Sequence, residues 1–442
     1  MSKPIVAFVG RPNVGKSTLF NVIANERISI VEDTPGVTRD RLYAFAEWTN
    51  KTFMMVDTGG IETKSKDVFI TSIVEQAKIA IQEADVIVFV VDARVGMTTE
   101  DKDIAKILHQ AKKPVIVAVN KADSPKQESE IYDFFDLGLG DVIGISASNR
   151  LNIGDLLDAI VSAFPDDDLN SDSEEEDIIN VALIGRPNVG KSSIFNSLIG
   201  KQRSIVSDLA GTTRDAIDTV VEKADTTYRF IDTAGMRRKG KVDEPIERYS
   251  VMRSLRAVDR SDVVLMVIDA AEGILDQDKK IVGYAHEAGK ATIFVVNKWD
   301  LVEKDNTSTL RFTEEIRREF VFLQYAPVVF VSAVTKQRIE RLPELINYVA
   351  EQHAMRVATS TLNDVIREAV ATNPPPTNKG LRLKIMYVTQ VKTKPPTFVF
   401  FVNIPELMHF SYERYMENTL RKAFGFEGTP IHIIVRGKAE EE

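Results

Sequence analysis

The chain has 442 residues, of which 44% are hydrophobic and 27% charged. This leaves room for about three globular domains of ordinary composition. It has no cysteine, which excludes disulfides and thiolate metal sites, and we found neither an apolar run of about 18 residues nor a secretory leader, so no membrane span is expected. The net charge of −9 is uneven, because residues 166–177 contain eight acidic residues whereas residues 352–438 contain twelve basic and six acidic ones. The basic carboxyl-terminal part favours an anionic partner.

Short apolar runs alternate with amphipathic segments in two successive copies. The predicted strands are 5–9, 53–56, 86–91, 115–119 and 142–145, followed by 181–184, 229–231, 263–268, 292–296 and 328–331. Continuous Val, Ile and Leu runs are typical of buried parallel strands, and ligands bind beyond the carboxyl ends of such strands. The pattern predicts two α/β domains, each a mostly parallel sheet with helices on both faces.

An octapeptide of the pattern Gly-x-x-x-x-Gly-Lys-Ser follows the first strand of each copy. It consists of Gly10, Arg11, Pro12, Asn13, Val14, Gly15, Lys16 and Ser17, and it recurs 175 residues later as Gly185, Arg186, Pro187, Asn188, Val189, Gly190, Lys191 and Ser192. In this P-loop pattern, backbone N–H groups surround the phosphates of a nucleotide, the lysine reaches the β- and γ-phosphates, and the serine hydroxyl binds Mg²⁺. By itself the loop does not distinguish ATP from GTP.

A second motif, Asp-x-x-Gly, follows the next predicted strand in each copy. Its residues are Asp57, Thr58, Gly59, Gly60 and then Ile61, and in the second copy Asp232, Thr233, Ala234, Gly235 and then Met236. The aspartate is expected to hold Mg²⁺ through its water shell, and the last glycine to offer a backbone N–H to the γ-phosphate. Thr38 and Thr213, between the two motifs, fit the switch threonine that covers Mg²⁺ and the γ-phosphate.

Ile61 and Met236 stand where Ras-like enzymes have a glutamine that orients the attacking water. Since neither side chain can orient water, we expect hydrolysis to be slow or to use another group. The P-loop residues Asn13 and Asn188 suggest bound K⁺ as that group. The predicted catalytic residues are therefore Lys16, Lys191, Thr38, Thr213, Asn13 and Asn188.

The motif Asn-Lys-x-Asp predicts guanine as the base. Its carboxylate accepts hydrogen bonds from N1–H and the exocyclic amine of guanine, groups that adenine does not present, and such sites discriminate by about 10⁴-fold in favourable cases. The residues are Asn120, Lys121, Ala122 and Asp123, and Asn297, Lys298, Trp299 and Asp300. A Ser-Ala pair, Ser146 with Ala147 and Ser332 with Ala333, is expected to complete each pocket.

The carboxyl-terminal part carries no nucleotide motif. The pattern predicts a helical stretch through Ala371, strands at 381–389 and 397–402, a helix at 412–424 and a strand at 431–435, which is a small α+β domain. Its many lysines and arginines favour phosphate contacts with RNA. Gly425-Phe426-Glu427-Gly428 looks like the Gly-x-x-Gly clamp of KH domains, but it lies between a helix and a strand, so a helix-ending turn is expected instead.

Two tandem loops of this kind, an acidic tether and a KH-like tail resemble the Der (EngA) family of bacterial GTPases over essentially the whole chain. The resemblance implies a cytoplasmic GTPase that acts in late assembly of the large (50S) ribosomal subunit and contacts its rRNA, with Mg²⁺ as cofactor and K⁺ as a hypothesised activator. We expect a monomer divided into a first GTPase domain (1–165), an acidic linker (166–177), a second GTPase domain (178–352) and a KH-like domain (353–442). The open alternatives are a GTPase for RNA modification and a switch in which only one site hydrolyses GTP.

Overall fold

A computed structural model describes residues 3–25, 43–49, 51–57, 84–111, 113–123, 131–165, 178–200, 206–210, 217–223, 226–233, 254–303, 305, 307–375, 377–378 and 381–437. The chain divides into two compact units, Met1–Ser173 and Glu174–Glu442. Nine predicted site residues lie outside the described ranges: Thr38, Thr58, Gly59, Gly60, Ile61, Thr213, Ala234, Gly235 and Met236. Within those ranges, every helix is too short or too polar to traverse a bilayer.

The first unit contains one mixed sheet with its helices. The strands are β1 (Ile5–Val9), β2 (Tyr43–Trp48), β3 (Lys51–Asp57), β4 (Val86–Asp92), β5 (Val115–Asn120) and β6 (Val142–Gly144). The helices are α1 (Lys16–Asn25), α2 (Thr99–Leu108) and α3 (Ile153–Ser162), with a 3-10 helix at Ile131–Leu137. The strand order is β2-β3-β1-β4-β5-β6, and among these strands the pair β2–β3 is antiparallel while the others are parallel. Because β1 and β4 are buried at every position, both faces of the sheet are covered.

The second unit begins with a sheet built in the same way. Its strands are β7 (Ile178–Ile184), β8 (Val206–Ala210), β9 (Ile217–Lys223), β10 (Thr226–Phe230), β11 (Val263–Asp269), β12 (Ala291–Asn297) and β13 (Val328–Phe330). Its helices are α4 (Lys191–Ile199), α5 (Asp276–Glu287), α6 (Ser308–Glu319) and α7 (Arg341–Ala354), with 3-10 helices at Trp299–Leu301 and Val321–Leu323. The order is β13-β12-β11-β7-β10-β9-β8, with β8, β9 and β10 joined by antiparallel pairing.

The same unit ends in a small domain of two helices and a three-stranded sheet. Its elements are α8 (Thr359–Thr372), a hairpin of β14 (Thr377–Asn378) and β15 (Leu381–Arg382), β16 (Ile385–Lys392), β17 (Thr397–Val402), a 3-10 helix (Pro405–Leu407), α9 (Phe410–Phe424) and β18 (His432–Gly437). The sheet order is β16-β17-β18. One core joins the helices to one face of the sheet, and it includes Leu362, Phe398, Phe400, Met416 and Leu420.

The predicted fold class is confirmed, and each predicted strand of the two copies overlaps an observed strand. The strands β2, β8 and β9 were missed, because antiparallel strands at or next to the edge of a sheet lack the continuous apolar run that marks a buried parallel strand. The strand predicted at 381–389 is wrong at its start. Residues Leu381 and Arg382 pair back onto β14, and the Asn403 side chain accepts from the Lys384 N–H and donates to the Arg382 carbonyl, so pairing with β17 begins only at Ile385.

The expected helix-ending turn at Gly425 is confirmed. Gly425 follows the last residue of α9 at a φ of +96° and its N–H donates to the Arg421 carbonyl. Gly428, at a φ of +78°, accepts from the Thr292 N–H and donates to the Tyr325 carbonyl. A Cβ at Gly428 would lie 2.6 Å from a methyl carbon of Val349. Gly428 therefore lets the turn pack closely against Thr292, Tyr325 and Val349 of the preceding α/β sheet domain.

Candidate functional site: paired phosphate-binding loops

Each octapeptide forms a tight loop between a buried strand and a helix. In the first copy, Gly10 and Gly15 adopt φ values of +152° and +96°, and a Cβ would lie 2.2 Å from the Val90 carbonyl oxygen or 2.3 Å from Asn120 Nδ2. The second copy repeats the arrangement at Gly185 and Gly190, with 2.4 Å to the Val267 oxygen and 2.2 Å to Asn297 Nδ2. Only glycine combines these backbone angles with this close approach. Val14 and Val189 are buried and anchor the loops in the two cores.

The loop lysine turns toward its own loop in both copies, and Lys16 is buried whereas Lys191 is half-buried. Lys16 Nζ donates to the carbonyl oxygens of Gly10 and Arg11 at 2.8 and 2.7 Å. The distances from Lys191 to the Gly185 and Arg186 oxygens are 2.7 and 2.6 Å. Burial lowers the pKa of each lysine to about 8. A phosphate group at the loop would favour the charged lysine, because an opposite charge at short range raises its pKa.

The loop arginine joins the loop, through a buried ion pair, to the helix that follows strand β4 or β11 (α2 or α5). Arg11 Nε donates to Asp101 at 2.7 Å, and Arg186 Nε donates to Asp278 at 3.0 Å. Both aspartates are fully buried in the first turn of a helix, and each also accepts a backbone N–H, from Thr98 or Leu275. In the second copy the guanidinium also donates to Glu272 at 2.8 Å and to the Gly273 carbonyl at 3.1 Å. The side chains of Arg11 and Arg186 are therefore bonded to other protein groups.

The motif asparagine joins the phosphate loop to the Ser-Ala segment. Asn120 Nδ2 donates to the Val14 carbonyl at 2.8 Å, and its Oδ1 accepts from the Ala147 N–H at 2.9 Å. Asn297 makes the same two bonds, at 2.8 Å to Val189 and 3.1 Å from Ala333. Three motifs far apart in sequence therefore converge at one end of each sheet.

The motif lysine closes the same network. Lys121 Nζ donates to the Asn13 carbonyl at 2.7 Å and to Asp92 at 2.5 Å. Lys298 Nζ lies 2.5 Å from Asp269. Asp92 and Asp269 end the strands β4 and β11, and the sequence analysis did not single them out.

The predicted base-reading aspartates differ between the copies. Asp123 accepts from Arg94, from the Ser146 hydroxyl and, at 3.1 Å, from Asn149 Nδ2. The hydroxyl of Ser146, and then the guanidinium of Arg94, lower the pKa of Asp123. Asp300 is exposed and is bonded through its side chain to no described residue. Its neighbour Trp299 is buried against Phe330, whereas Ala122 has no ring to bury.

The predicted magnesium ligands also differ. Ser17 Oγ donates to Asp57 Oδ2 at 2.6 Å, which places a hydroxyl and a carboxylate side by side, and hard oxygen donors of this kind suit Mg²⁺. In the second copy, Asp232 has a φ of +52°, and its N–H donates to Asp218 Oδ1 at 3.1 Å. Asp218 in turn accepts from Arg260 Nη1 at 3.3 Å.

The comparisons with known proteins agree with this geometry. A family model described as a 50S ribosome-binding GTPase matches residues 5–121 and again 180–298. A second model, described as the KH-domain-like carboxyl-terminal domain of EngA bacterial GTPase enzymes, matches residues 356–436.

Relatives named GTPase Der are similar over the full chain. The protein from Geobacillus sp. (strain WCH70) is 59% identical over 436 residues, which is 99% of both chains. The protein from Desulfitobacterium hafniense (strain Y51) is 58% identical over 442 residues, which is 100% of both chains. Among solved structures, Era in complex with MgGDPNP and nucleotides 1506–1542 of 16S ribosomal RNA is 22% identical, with 59% of this chain and 93% of that chain covered at a TM-score of 0.31.

Proposed function

This chain belongs to the Der family of GTPases, and we propose that it acts as a GTP-driven switch in late assembly of the large (50S) ribosomal subunit. Hydrolysis of GTP is the activity of the family. The proposal adds that the two sites control how the domains are arranged and how the chain binds the subunit and its rRNA. The division into 1–165, 166–177, 178–352 and 353–442 is part of this proposal.

The observation that carries the proposal is the physical link from the second loop to the KH-like domain. Helix α5 begins at Asp276, where Asp278 is paired with Arg186 of the loop. At its other end, His286 Nδ1 lies 2.7 Å from the Tyr325 hydroxyl, and Arg421 of α9 lies over the Tyr325 ring at 4.4 Å. A displacement of the loop on GTP binding would therefore reach α9 through one helix and two half-buried side-chain contacts. Switching by such packed elements requires two discrete arrangements of this link.

We propose that both sites use the same phosphate chemistry. Lys16 and Lys191 neutralise charge on the β- and γ-phosphates, and the loop N–H groups bind the same oxygens. Ser17 and Asp57, and Ser192 and Asp232, would hold Mg²⁺, with Thr38 and Thr213 completing the set. Bound Mg²⁺ would supply charge neutralisation between the β- and γ-phosphates. Asp123 and Asp300 would read guanine.

K⁺ activation fits the conformation of the loop asparagines. Asn13 and Asn188 adopt φ values of +65° and +62°, both are exposed, and neither amide side chain bonds to a described residue. An amide oxygen at the mouth of the loop is therefore available to a monovalent cation near the phosphates. Replacement of K⁺ by Na⁺ should slow hydrolysis, and Asn13→Ala with Asn188→Ala should remove that dependence. An unchanged K⁺ response in the double variant would refute the idea.

Sedimentation with ribosomal subunits tests the proposed function. The wild-type chain should co-migrate with large subunits in a sucrose gradient with a non-hydrolysable GTP analogue, and should not do so with GDP. Co-migration in neither state, or equally in both, would refute a GTP-controlled role on the subunit.

Two variants identify the site that controls binding. Asparagine in place of Asp123 or Asp300 offers an amide donor where guanine requires an acceptor, which favours xanthine with its second carbonyl. When the Asp300→Asn chain is given a xanthosine triphosphate analogue together with GDP, the second site should bind the triphosphate and the first site should bind GDP. The Asp123→Asn chain is the matched control with the sites exchanged.

A further inference from the structure

The helices α8 and α9 of the KH-like domain share a core with one face of its three-stranded sheet. Phe398, Phe400 and Val402 on β17 point into the core with α8 and α9. The alternate residues of β17 belong to the opposite face, where the register forms rows across the sheet. One row is Tyr387, Phe401 and Arg436, and the next is Thr389, Val399 and Ile434. We call this surface the open face.

Two aromatic rings at one end of the open face are already arranged for stacking. Tyr387 and Phe401 are cross-strand neighbours, with ring centroids 4.3 Å apart and planes inclined by 12°. Tyr387 is 48% exposed, and Ile434 in the adjacent row is 38% exposed. A half-exposed ring backed by a second parallel ring offers a flat, rigid surface to a planar ligand.

Charge is segregated between the two layers of this domain. Residues 381–402 and 432–437, which make the hairpin and the sheet, contain five lysines and arginines and no aspartate or glutamate. The four acidic residues between 381 and 437 all lie between 406 and 427, in the helical layer. There, Arg421 is paired with Glu417 at 2.8 Å. Lys384, Lys392, Lys394 and Arg436, on the sheet, are exposed and form no ion pair with a described residue.

We propose that the open face is a stacking platform for single-stranded RNA, with one base on Tyr387 and phosphates held by Arg436 and Lys392. The proposal rests on the proposed function, since it names the RNA-binding surface of the same domain. Stacking is open to every base, so the platform would tolerate sequence and select for unpaired nucleotides.

The chemistry of the face favours this occupant over others. Aromatic residues on the face of a β-sheet are how other small domains stack two or three RNA bases. The bases of a duplex are already stacked on one another, so an RNA helix could use only the cations. Along β17, Thr397 lies about 13 Å from the Phe401 row, at roughly 3.3 Å per residue of strand. Thr397 itself is buried, and its cross-strand partner Lys392 is exposed. The aromatic pair Tyr387 and Phe401 is thus separated along the strand from the cation Lys392.

The test is fluorescence anisotropy of the full chain with a labelled ten-nucleotide single-stranded RNA and with the same RNA annealed to its complement. We expect Tyr387→Ala to weaken single-strand binding about 5- to 150-fold, the equivalent of about 1–3 kcal/mol for one stacked base, with little effect on the duplex. Tyr387→Phe should bind as the wild type does. Phe410→Ala, which removes a ring that is 64% exposed at the start of α9, is the matched control and should also bind normally.

The cations have a separate signature. Each phosphate contact of a single strand contributes about 0.7 to the slope of log K against log salt, so Arg436→Gln should reduce that slope by about 0.7. Arg367→Gln, on α8 and paired with Asp364 at 3.2 Å, should leave it unchanged. Since Tyr387 and Arg436 are exposed, melting temperatures of all variants should match the wild type.

The outcomes separate this proposal from the proposed function. Equal single-strand binding by Tyr387→Ala and the wild type would refute the platform, whereas subunit co-migration would still decide the role in assembly. Absence of any RNA binding by the wild-type chain would refute the platform as well. A self-association in sedimentation velocity that Tyr387→Ala abolishes would assign the face to a second copy of the chain and overturn the proposal.

Discussion

The two GTPase domains hold their phosphate loops in the same way but surround the remainder of each site differently. The lysine, arginine and asparagine contacts of the two loops agree to within 0.3 Å. At the Asn-Lys-x-Asp motif, however, Asp123 is bound by Arg94. Asp300 pairs with no cation among the described residues, and the residue equivalent to Arg94 is Ala271. Duplication has kept the phosphate chemistry and changed its surroundings.

The two domains also differ in what the helix paired with the loop arginine contacts. Helix α2 of the first unit is followed by His109, whose Nε2 lies 2.8 Å from the Leu137 carbonyl of the same domain. Helix α5 of the second unit ends beside Gly289, where a Cβ would lie 2.7 Å from Pro395 of the KH-like domain. The difference indicates that the second site is mechanically joined to the KH-like domain within its unit.

Removing the loop lysines should have the largest effect and asks whether the two sites are chemically equal. Lys16→Ala and Lys191→Ala each delete a charge aimed at the phosphates, so turnover at the altered site should fall on the order of 10²–10³-fold. Each single variant should keep the turnover of the other site, and the double variant should lose both. Lys102→Ala, an exposed lysine of α2, is the control. Complete loss in one single variant would show that only one site hydrolyses GTP.

Breaking the buried arginine pairs should have the next largest effect and should be unequal. Arg186→Gln leaves the fully buried Asp278 without its cation, which costs about 3 kcal/mol of unfolding free energy. Arg11→Gln should cost less, because Arg11 lies 3.9 Å from Glu100 where Arg186 bonds to Glu272 at 2.8 Å. The first unit has one tryptophan, Trp48, and the second unit has Trp299. In urea, tryptophan fluorescence of a Trp48→Phe chain therefore follows the second unit, and that of a Trp299→Phe chain follows the first. Equal losses of unfolding free energy in Arg186→Gln and Arg11→Gln would contradict the expected inequality between the two arginine pairs.

The sequence predicted what lies within a motif and missed what the fold brings to it. Loop residues such as Lys16 are adjacent to their strand in the chain, so their position follows from the pattern. Asp101 and Asp278 resemble ordinary helix-capping acids, yet they lie 177 residues apart, the same offset that relates Asn120 to Asn297. That shared offset was the signal that could have found them.

Copy-specific contacts gave no such signal. In the part of the chain that the structure describes, Arg94 and the Asp218–Arg260 pair have no equivalent in the other copy, so nothing in the repeat marks them. Their proximity to Asp123 and Asp232 depends on loops whose course only the packed structure defines. The open face of the KH-like sheet is a similar case, because the pairing of Tyr387 with Phe401 requires the observed register.

Acid should destabilise the second unit more than the first. Burial lowers the pKa of His353 to about 3 and that of His286 to about 4, whereas an unfolded histidine titrates near 6.5. As the pH falls below about 6.5, the unfolded chain takes up protons that the folded chain does not. The unfolding free energy therefore decreases, by about 2 kcal/mol for His353 at pH 5.

Urea unfolding at pH 7 and pH 5, followed through the two single-tryptophan chains, checks this prediction. Residues 174–442 contain four histidines and residues 1–173 only His109. His353 Nδ1 lies 2.7 Å from the Thr429 hydroxyl, so His353→Gln keeps a polar partner there and should reduce the pH dependence. The prediction is refuted if the urea midpoint reported by Trp299 falls, between pH 7 and pH 5, by no more than the midpoint reported by Trp48.

The smallest expected effect concerns Arg94 and decides whether the base sites are tuned differently. The proposed reading of guanine uses both oxygens of Asp123, so the guanidinium of Arg94, which is 57% exposed, would have to leave when the base binds. An exposed ion pair is worth about 0–1 kcal/mol, so Arg94→Ala should tighten GDP at the first site by up to about fivefold. The gain should shrink at high salt, because exposed charges are screened. Fluorescent GDP titrated into Asp300→Asn chains, with and without Arg94→Ala, measures the first site alone. Weaker binding after Arg94→Ala would mean that the arginine contacts the nucleotide, and the difference between the sites would then be an added ligand rather than a competitor.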